Sequence, residues 1–193
     1  MKLVTKVTTA LVALASLALF ASCGSTDAAA AGAAAPVAGP STTWEWDKIP
    51  LSDIGTSDTV IDERIEIAPA KADVAGAKFE AVAGKAKFKT EAMGTALYHG
   101  NKSSATLEGL KEVFVASYEL TVAAPAKVTL VVSGNGDATP ARCLAVYDAA
   151  GATLTSISNI GQDKKDTLTF DAAAAGVYKI NLAGCRIYSV KVE

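Results

Sequence analysis

Trp44 and Trp46 are the only two tryptophans of the chain. A flat aromatic face stacked on a sugar ring is a common way for a protein surface to hold a glycan. At a spacing of two they share one side of an extended segment. Trp44 is expected to plug the edge of the core and pin the N-terminal strand, and Trp46 is the better surface candidate. Arg142, Arg186 and Tyr188 form a second group: arginine forks beside an aromatic ring can bond sugar hydroxyls or a uronate carboxylate. The plainer reading of these is solvated arginines and a tyrosine capping the core. Asn159, Gln162 and Asp163 fall in a polar loop and could add contacts, with Asn159 the leading one.

The remaining reactive side chains argue against catalysis. His99 is the only histidine, and it has neither a nucleophile motif nor a sequence-adjacent carboxylate to orient it. Asp62 and Glu66 share one face of a short strand pattern opposite Glu63, which suits a solvated face better than a pair of catalytic acids. One histidine and three cysteines exclude multi-histidine and four-cysteine metal sites. Ser133-Gly134-Asn135-Gly136-Asp137 offers oxygens that a structural calcium could use. It lacks the spaced acids of a dedicated loop, so a hairpin turn is expected there. No other cofactor is expected.

The charge is mildly acidic. The chain of 193 residues carries a formal net charge of −2, and loss of Lys2 and Lys6 with an export signal would take this to −4. No basic footprint for nucleic acid exists.

Met1 to Ser22 has the order of such a signal: two lysines, an apolar run over Val7 to Ala21, then small residues. The run ends Leu19-Phe20-Ala21-Ser22-Cys23-Gly24, which resembles the lipobox of bacterial lipoproteins, with Phe20 where Leu is usual. The resemblance implies that Cys23 becomes the acylated first residue, anchoring the chain to a membrane of the cell envelope on the periplasmic or outer face. Acyl chains contribute about 0.8 kcal/mol per buried methylene, enough for two or three to hold a protein on a bilayer. Ser25 to Pro40, rich in alanine and broken by Gly32, Pro36, Gly39 and Pro40, reads as a flexible spacer. The expected organisation is a signal over 1–22, lipidated Cys23 and tether over 23–41, and a folded domain over 42–193.

With Cys23 acylated, Cys143 and Cys185 are left as an even pair in an oxidising compartment. They could form a disulfide closing a loop of about forty residues, worth roughly 3–4 kcal/mol through the unfolded chain. Two small buried thiols are the other reading.

All these side chains must be positioned by strands. Glu112 to Val122 alternates with Phe114, Ala116, Tyr118, Leu120 and Val122 on one face, and Lys127 to Ser133 alternates with Val128, Leu130 and Val132. Joined by four residues that include Pro125, these two runs are expected to form a hairpin. Further short runs occur at 61–67, 78–82, 86–90, 142–147, 153–157, 167–170, 177–182 and 186–192, with Gly, Asn, Asp and Pro between them. About ten strands without an amphipathic helix point to an all-β fold, an antiparallel β-sandwich or jelly roll. Absence of βαβ alternation argues against a Rossmann or barrel enzyme.

The domain opens Thr42-Thr43-Trp44-Glu45-Trp46-Asp47 and closes Ile187-Tyr188-Ser189-Val190-Lys191-Val192. With ASYELTV, VTLVVSGNGD, RCLAVYD and GVYKINLAGC between, this order resembles the β-sandwich modules appended to bacterial pectate lyases and other polysaccharide-degrading enzymes. The resemblance spans Thr42 to Glu193, loosely over 60–110. It implies a galactose-binding-like, carbohydrate-binding accessory module that is monomeric, binds a polysaccharide and catalyses nothing. A structural or protein-binding envelope lipoprotein is the alternative, and a polysaccharide lyase or hydrolase the weaker one.

Overall fold

A computed structural model describes residues 39–46, 59–60, 64–98, 105–112, 116–136 and 142–193, within a compact unit that runs from Ala38 to Glu193. The signal, Cys23 and the tether up to residue 38 lie outside the described residues, as do Asp62, Glu63, His99 and Asp137. Thirteen strands are described: β1 (Thr42–Glu45), β2 (Thr59–Val60), β3 (Ile65–Ile67), β4 (Lys71–Ala72), β5 (Lys78–Glu91), β6 (Gly94–Tyr98), β7 (Ala116–Val122), β8 (Ala126–Gly134), β9 (Cys143–Tyr147), β10 (Thr153–Ser158), β11 (Asp166–Ala172), β12 (Gly176–Ala183) and β13 (Cys185–Val192). The one 3-10 turn that lies wholly among these residues is Gly109–Lys111.

Period-two alternation explains why these segments are strands. In β8, Val128, Leu130 and Val132 are buried while Lys127, Thr129 and Val131 turn outward; in β11, Leu168, Phe170 and Ala172 are buried while Thr167, Thr169 and Asp171 are exposed. Each such strand has one face to hide, and two sheets hide their faces against each other. All pairings are antiparallel. The first sheet runs β11–β8–β13, and the free side of β13 pairs with β6 over Arg186–Ile187 and with β1 over Ser189–Val192. The second sheet runs β3–β5–β7–β12–β9–β10. This is the expected antiparallel β-sandwich.

The expected hairpin between residues 112–122 and 127–133 is not formed. β7 pairs with β5 and β12, whereas β8 pairs with β11 and β13. The link Ala123-Ala124-Pro125 therefore carries the chain from one sheet to the other. Both strands have an apolar face, and facing those two sets across the core buries more than laying them edge to edge, where both would need a further cover. The two runs at 78–82 and 86–90 are also one element: β5 continues through Gly84, with an irregular register between Ala81 and Ala83. Its first half pairs with β7 in the second sheet and its second half with β6 in the first. A bulge bends a strand and increases its twist, which is how one strand can serve two layers.

The core is a chain of aromatic rings reaching from one sheet to the other. Trp44 lies 5.8 Å from Phe79, Phe79 stacks on Tyr118 at 5.5 Å, and Trp46 meets Phe79 at 5.9 Å and Phe88 at 5.3 Å between centroids. Each indole N–H also finds an acceptor: Trp44 Nε1 donates to the Ile67 carbonyl at 2.7 Å, and Trp46 Nε1 to that of Ile187. Buried indoles need such partners to offset their desolvation.

Candidate ligand-binding site

Trp46 cannot serve as a stacking surface, because only 1% of it is exposed. Both tryptophans of the opening segment point inward, so the expectation of an exposed Trp46 is corrected. Position 46 begins a 3-10 turn after β1, and its ring packs on the core side, between Phe79 and Phe88.

Arg142, Asn159, Arg186 and Tyr188 do gather at one end of the sandwich. The Arg142 carbonyl accepts from Ile160 N at 3.5 Å, Gly134 N donates to Gly161 O at 2.9 Å, and Asn135 N donates to Gly184 O at 2.7 Å. Arg186 stands opposite Ser133 across the β8–β13 pair, and Ser133 Oγ lies 3.2 Å from the Tyr188 hydroxyl. Lys165 Nζ sits 4.1 Å over the Tyr188 ring. Arg142 and Arg186 are only 3% and 5% exposed and Tyr188 is equally covered, so neither the fork onto a polymer nor the solvated alternative describes them. Loops close over this end and take the guanidinium groups into a buried polar layer with Ser133 and Asn135. Of the four, Asn159 alone is exposed, at a left-handed φ of 57° that asparagine tolerates.

The glycine-rich Ser133–Gly136 segment is no hairpin turn, since β8 and β9 belong to different sheets. Gly134 has another purpose: a Cβ there would lie 1.9 Å from the Ile160 carbonyl oxygen. Glycine lets the two loops touch. Among the described residues, no group of three or more His, Cys, Asp and Glu is placed to hold a metal.

Cys143 and Cys185 are buried free thiols, so the disulfide reading gives way to the other one. Cys143 Sγ lies 3.1 Å from the Ala105 carbonyl and Cys185 Sγ 3.6 Å from that of Ala183. Burial pushes both thiols upward, that of Cys185 strongly, with a further rise from Cys143 and a partial offset from Arg142.

Open depressions lie at the opposite end, around the β9–β10 turn. The outward face of the second sheet has its own small apolar cluster of Leu110, Cys143, Ala145, Tyr147 and Ala183, to which the strap 105–112 contributes Leu110. Asn181 fixes that strap: its Nδ2 donates to the Leu110 carbonyl at 2.9 Å while Ser117 Oγ donates to its Oδ1 at 2.8 Å. The strap thereby holds Lys111 Nζ 5.4 Å from the centre of the Tyr147 ring. Beside it opens a depression of about 260 Å³ bordered by Lys111, Tyr147, Asp148, Lys179 and Asn181. Tyr147 is 3% exposed, and no described group hydrogen-bonds its buried hydroxyl. Burial, and secondarily Cys143, raise the Tyr147 phenol above its ordinary value, so it stays neutral.

Asp148 is committed to the turn. Its Oδ1 accepts from Ala152 N at 2.8 Å, its N donates to Ala152 O at 3.0 Å, and Gly151, at φ 79°, donates to its carbonyl at 3.0 Å. On the other side of Asp148 and Ala149 lies a second depression of about 310 Å³, bordered by Leu154, Asp171, Ala174, Val177 and Tyr178. Leu154 and Val177, 38% and 41% exposed, give it an apolar rim.

A cross-strand row reads Glu66, Glu80, Glu119, Lys179, Tyr147 over five strands, with Lys179 directly opposite Glu119. The carboxylates in it are matched by cations: Arg64 bridges Glu80, at 3.0 Å, and Glu119, and Lys78 pairs with Glu66 at 3.4 Å. Sequence reasoning passed over Lys111, Tyr147 and Lys179. Lys179 and Tyr147 are neighbours only through the β9–β12 register, and Lys111 joins them from a strap that has no strand period.

Residues 114–184 match the family model described as bacterial pre-peptidase C-terminal domain, a stretch that takes in β7 to β12. Solved structures similar to the chain include the K1 cleaved adhesin domain of Lys-gingipain from Porphyromonas gingivalis W83, at 17% identity over 80% of this chain and 98% of that one, with a TM-score of 0.41. A xylan-binding domain from Paenibacillus barcinonensis Xyn10C is similar at 8% identity over 78% and 91%, with a TM-score of 0.42. A carbohydrate-binding module from Cellvibrio mixtus lichenase 5A, solved with cellotriose, is similar at 10% identity over 56% and 84%, with a TM-score of 0.34. No curated protein matches the chain. The strand pairings define the fold class as an antiparallel β-sandwich.

Proposed function

We propose that this protein is a non-catalytic glycan-binding module, held at the bacterial cell envelope through acylated Cys23. The observation that carries the reading is the depression beside Tyr147. It opens beside the covered Tyr147 ring and is bordered by polar side chains from three separate segments, the strap, the β9–β10 turn and β12. A sugar ring carries a rim of hydroxyls, and polar groups that converge on one depression can bond them. Affinity is weak, since sugar hydroxyls exchange water bonds for protein bonds at little net gain. Many anchored copies facing a repeating polymer compensate through effective concentration.

Affinity electrophoresis of the intact chain through gels containing pectin, xylan, glucan or peptidoglycan fragments tests the reading. Retardation in at least one gel is expected, reduced by Ala149→Leu, which fills space at the exposed turn between the two depressions. Migration unchanged in every gel overturns glycan binding and favours the protein-binding alternative. Release of reducing ends or unsaturated products overturns the non-catalytic part.

A further inference from the structure

We propose that β10 pairs with β10 of a second copy of this chain, so that the second sheets of two molecules join into one across a two-fold axis. The proposal is independent of the glycan-binding reading and stands in place of the monomer expected from the sequence. Among the described residues β10 pairs with β9 alone, which makes its other side an open sheet edge. Protein edges are commonly guarded against further pairing by charge or proline. The opposite edge of the same sheet, β3, carries Glu66, and β11, at the edge of the first sheet, carries Asp166 and Asp171. Neither a charged residue nor a proline stands between Asp148 and Asp163, the stretch that contains β10.

This edge also leaves apolar surface open. Leu154 on β10 is exposed, Val177 borders the same depression, and Ile157 packs against the main core while remaining only partly covered. The pattern of β10 fits its own copy. Thr155 and Ile157 face inward, opposite the core residues Val146 and Leu144, whereas Ser156 faces outward, opposite Ala145. Residues directly opposite each other in an antiparallel pair share a face. With Ser156 on the two-fold axis, Thr155 stands opposite the partner's Ile157 on the inner side, and the two Ser156 hydroxyls meet on the outer side, where they can hydrogen-bond. Inward positions thus meet inward positions. Such an isologous contact uses up the open β10 edge of both copies. The edge left at each end of the joined sheet is β3 with its Glu66, so the assembly closes as a dimer.

The test uses the intact chain in excess detergent. Opposite Cα atoms of an antiparallel pair lie about 4.5–5.5 Å apart, within the range a disulfide spans. Mild oxidation of Ser156→Cys should therefore give a linked dimer on a non-reducing gel. Thr169→Cys, equally exposed but on the outer face of β11, should stay monomeric under the same treatment, as should the parent, whose Cys143 and Cys185 are buried. Ser156→Lys sets two ammonium groups opposite each other and should raise the dimer dissociation constant, measured by sedimentation equilibrium, at least ~10-fold. Its melting curve at low concentration should overlay the parent's, since the side chain is exposed. A parent that sediments as a monomer at every concentration, equal cross-linking at positions 156 and 169, or a dissociation constant untouched by Ser156→Lys overturns the proposal.

Discussion

The indole nitrogen of Trp46 donates to the main-chain carbonyl of Ile187, joining the residue after the first strand to the centre of the last. Trp46 is thus a fastener of the first sheet. Replacing it with alanine should cost ~3–5 kcal/mol, the range for a large buried aromatic. Trp46→Phe, which keeps a ring and strands the carbonyl, should cost about 1–3 kcal/mol. Urea titrations measure both, and undiminished glycan retention by the folded fraction of the phenylalanine variant would confirm that the ring touches no ligand.

Alkali should unfold the protein early. The Cys185 thiol and the Tyr118 phenol are fully buried, and desolvation raises both from ordinary values of 9.0 and 10.0. The unfolded chain releases these protons first, so above about pH 9 the folded state binds more protons and stability falls as pH rises. The slope is about 1.4 kcal/mol per pH unit for each such group. Cys185→Ala should flatten the profile between pH 9 and 10, measured by denaturation at fixed pH values. An unchanged slope in that variant would count against the thiol.

Gly134→Ala should be among the most damaging single substitutions. Its Cβ would meet a main-chain oxygen, which cannot swing aside as a side chain can. A loss of ~3 kcal/mol is expected from such overpacking, read as a drop in thermal midpoint. Gly39→Ala, with nothing within 4 Å of the added carbon, is the matched control.

Leu110→Ala tests the strap. Emptying its place in the outer cluster should cost ~2–5 kcal/mol if the strap stays seated, and less if it lifts away. Either way Lys111 loses its fixed place over Tyr147, so glycan retention should fall more than in Ala105→Gly, a change at the cluster's periphery. Comparable retention in both would mean that the strap does not shape the site.

Much of the sandwich was legible because alternation is a local signal: Val128, Leu130 and Val132 mark their inward face without reference to any other strand. What alternation cannot reveal is the partner. The same pattern in residues 116–122 and 126–134 fits a hairpin or a crossing between layers, and the choice depends on which distant strands compete for each edge. Trp46 was misplaced for a related reason. Tryptophan suits both cores and sugar platforms, and only the positions of Phe79, Phe88 and Ile187 decide between them. Arg142 and Arg186 were read as surface groups because charge usually stays in water, but loop closure at one end of the sandwich took both inside.

The placement of β13 has a consequence for biosynthesis. The last strand in the chain lies inside the first sheet, with β8 on one side and β1 and β6 on the other. Until that strand emerges from the ribosome, β1 lacks its long partner and the aromatic core lacks one wall. The domain therefore closes only once β13 is in place, whatever order the other strands assemble in.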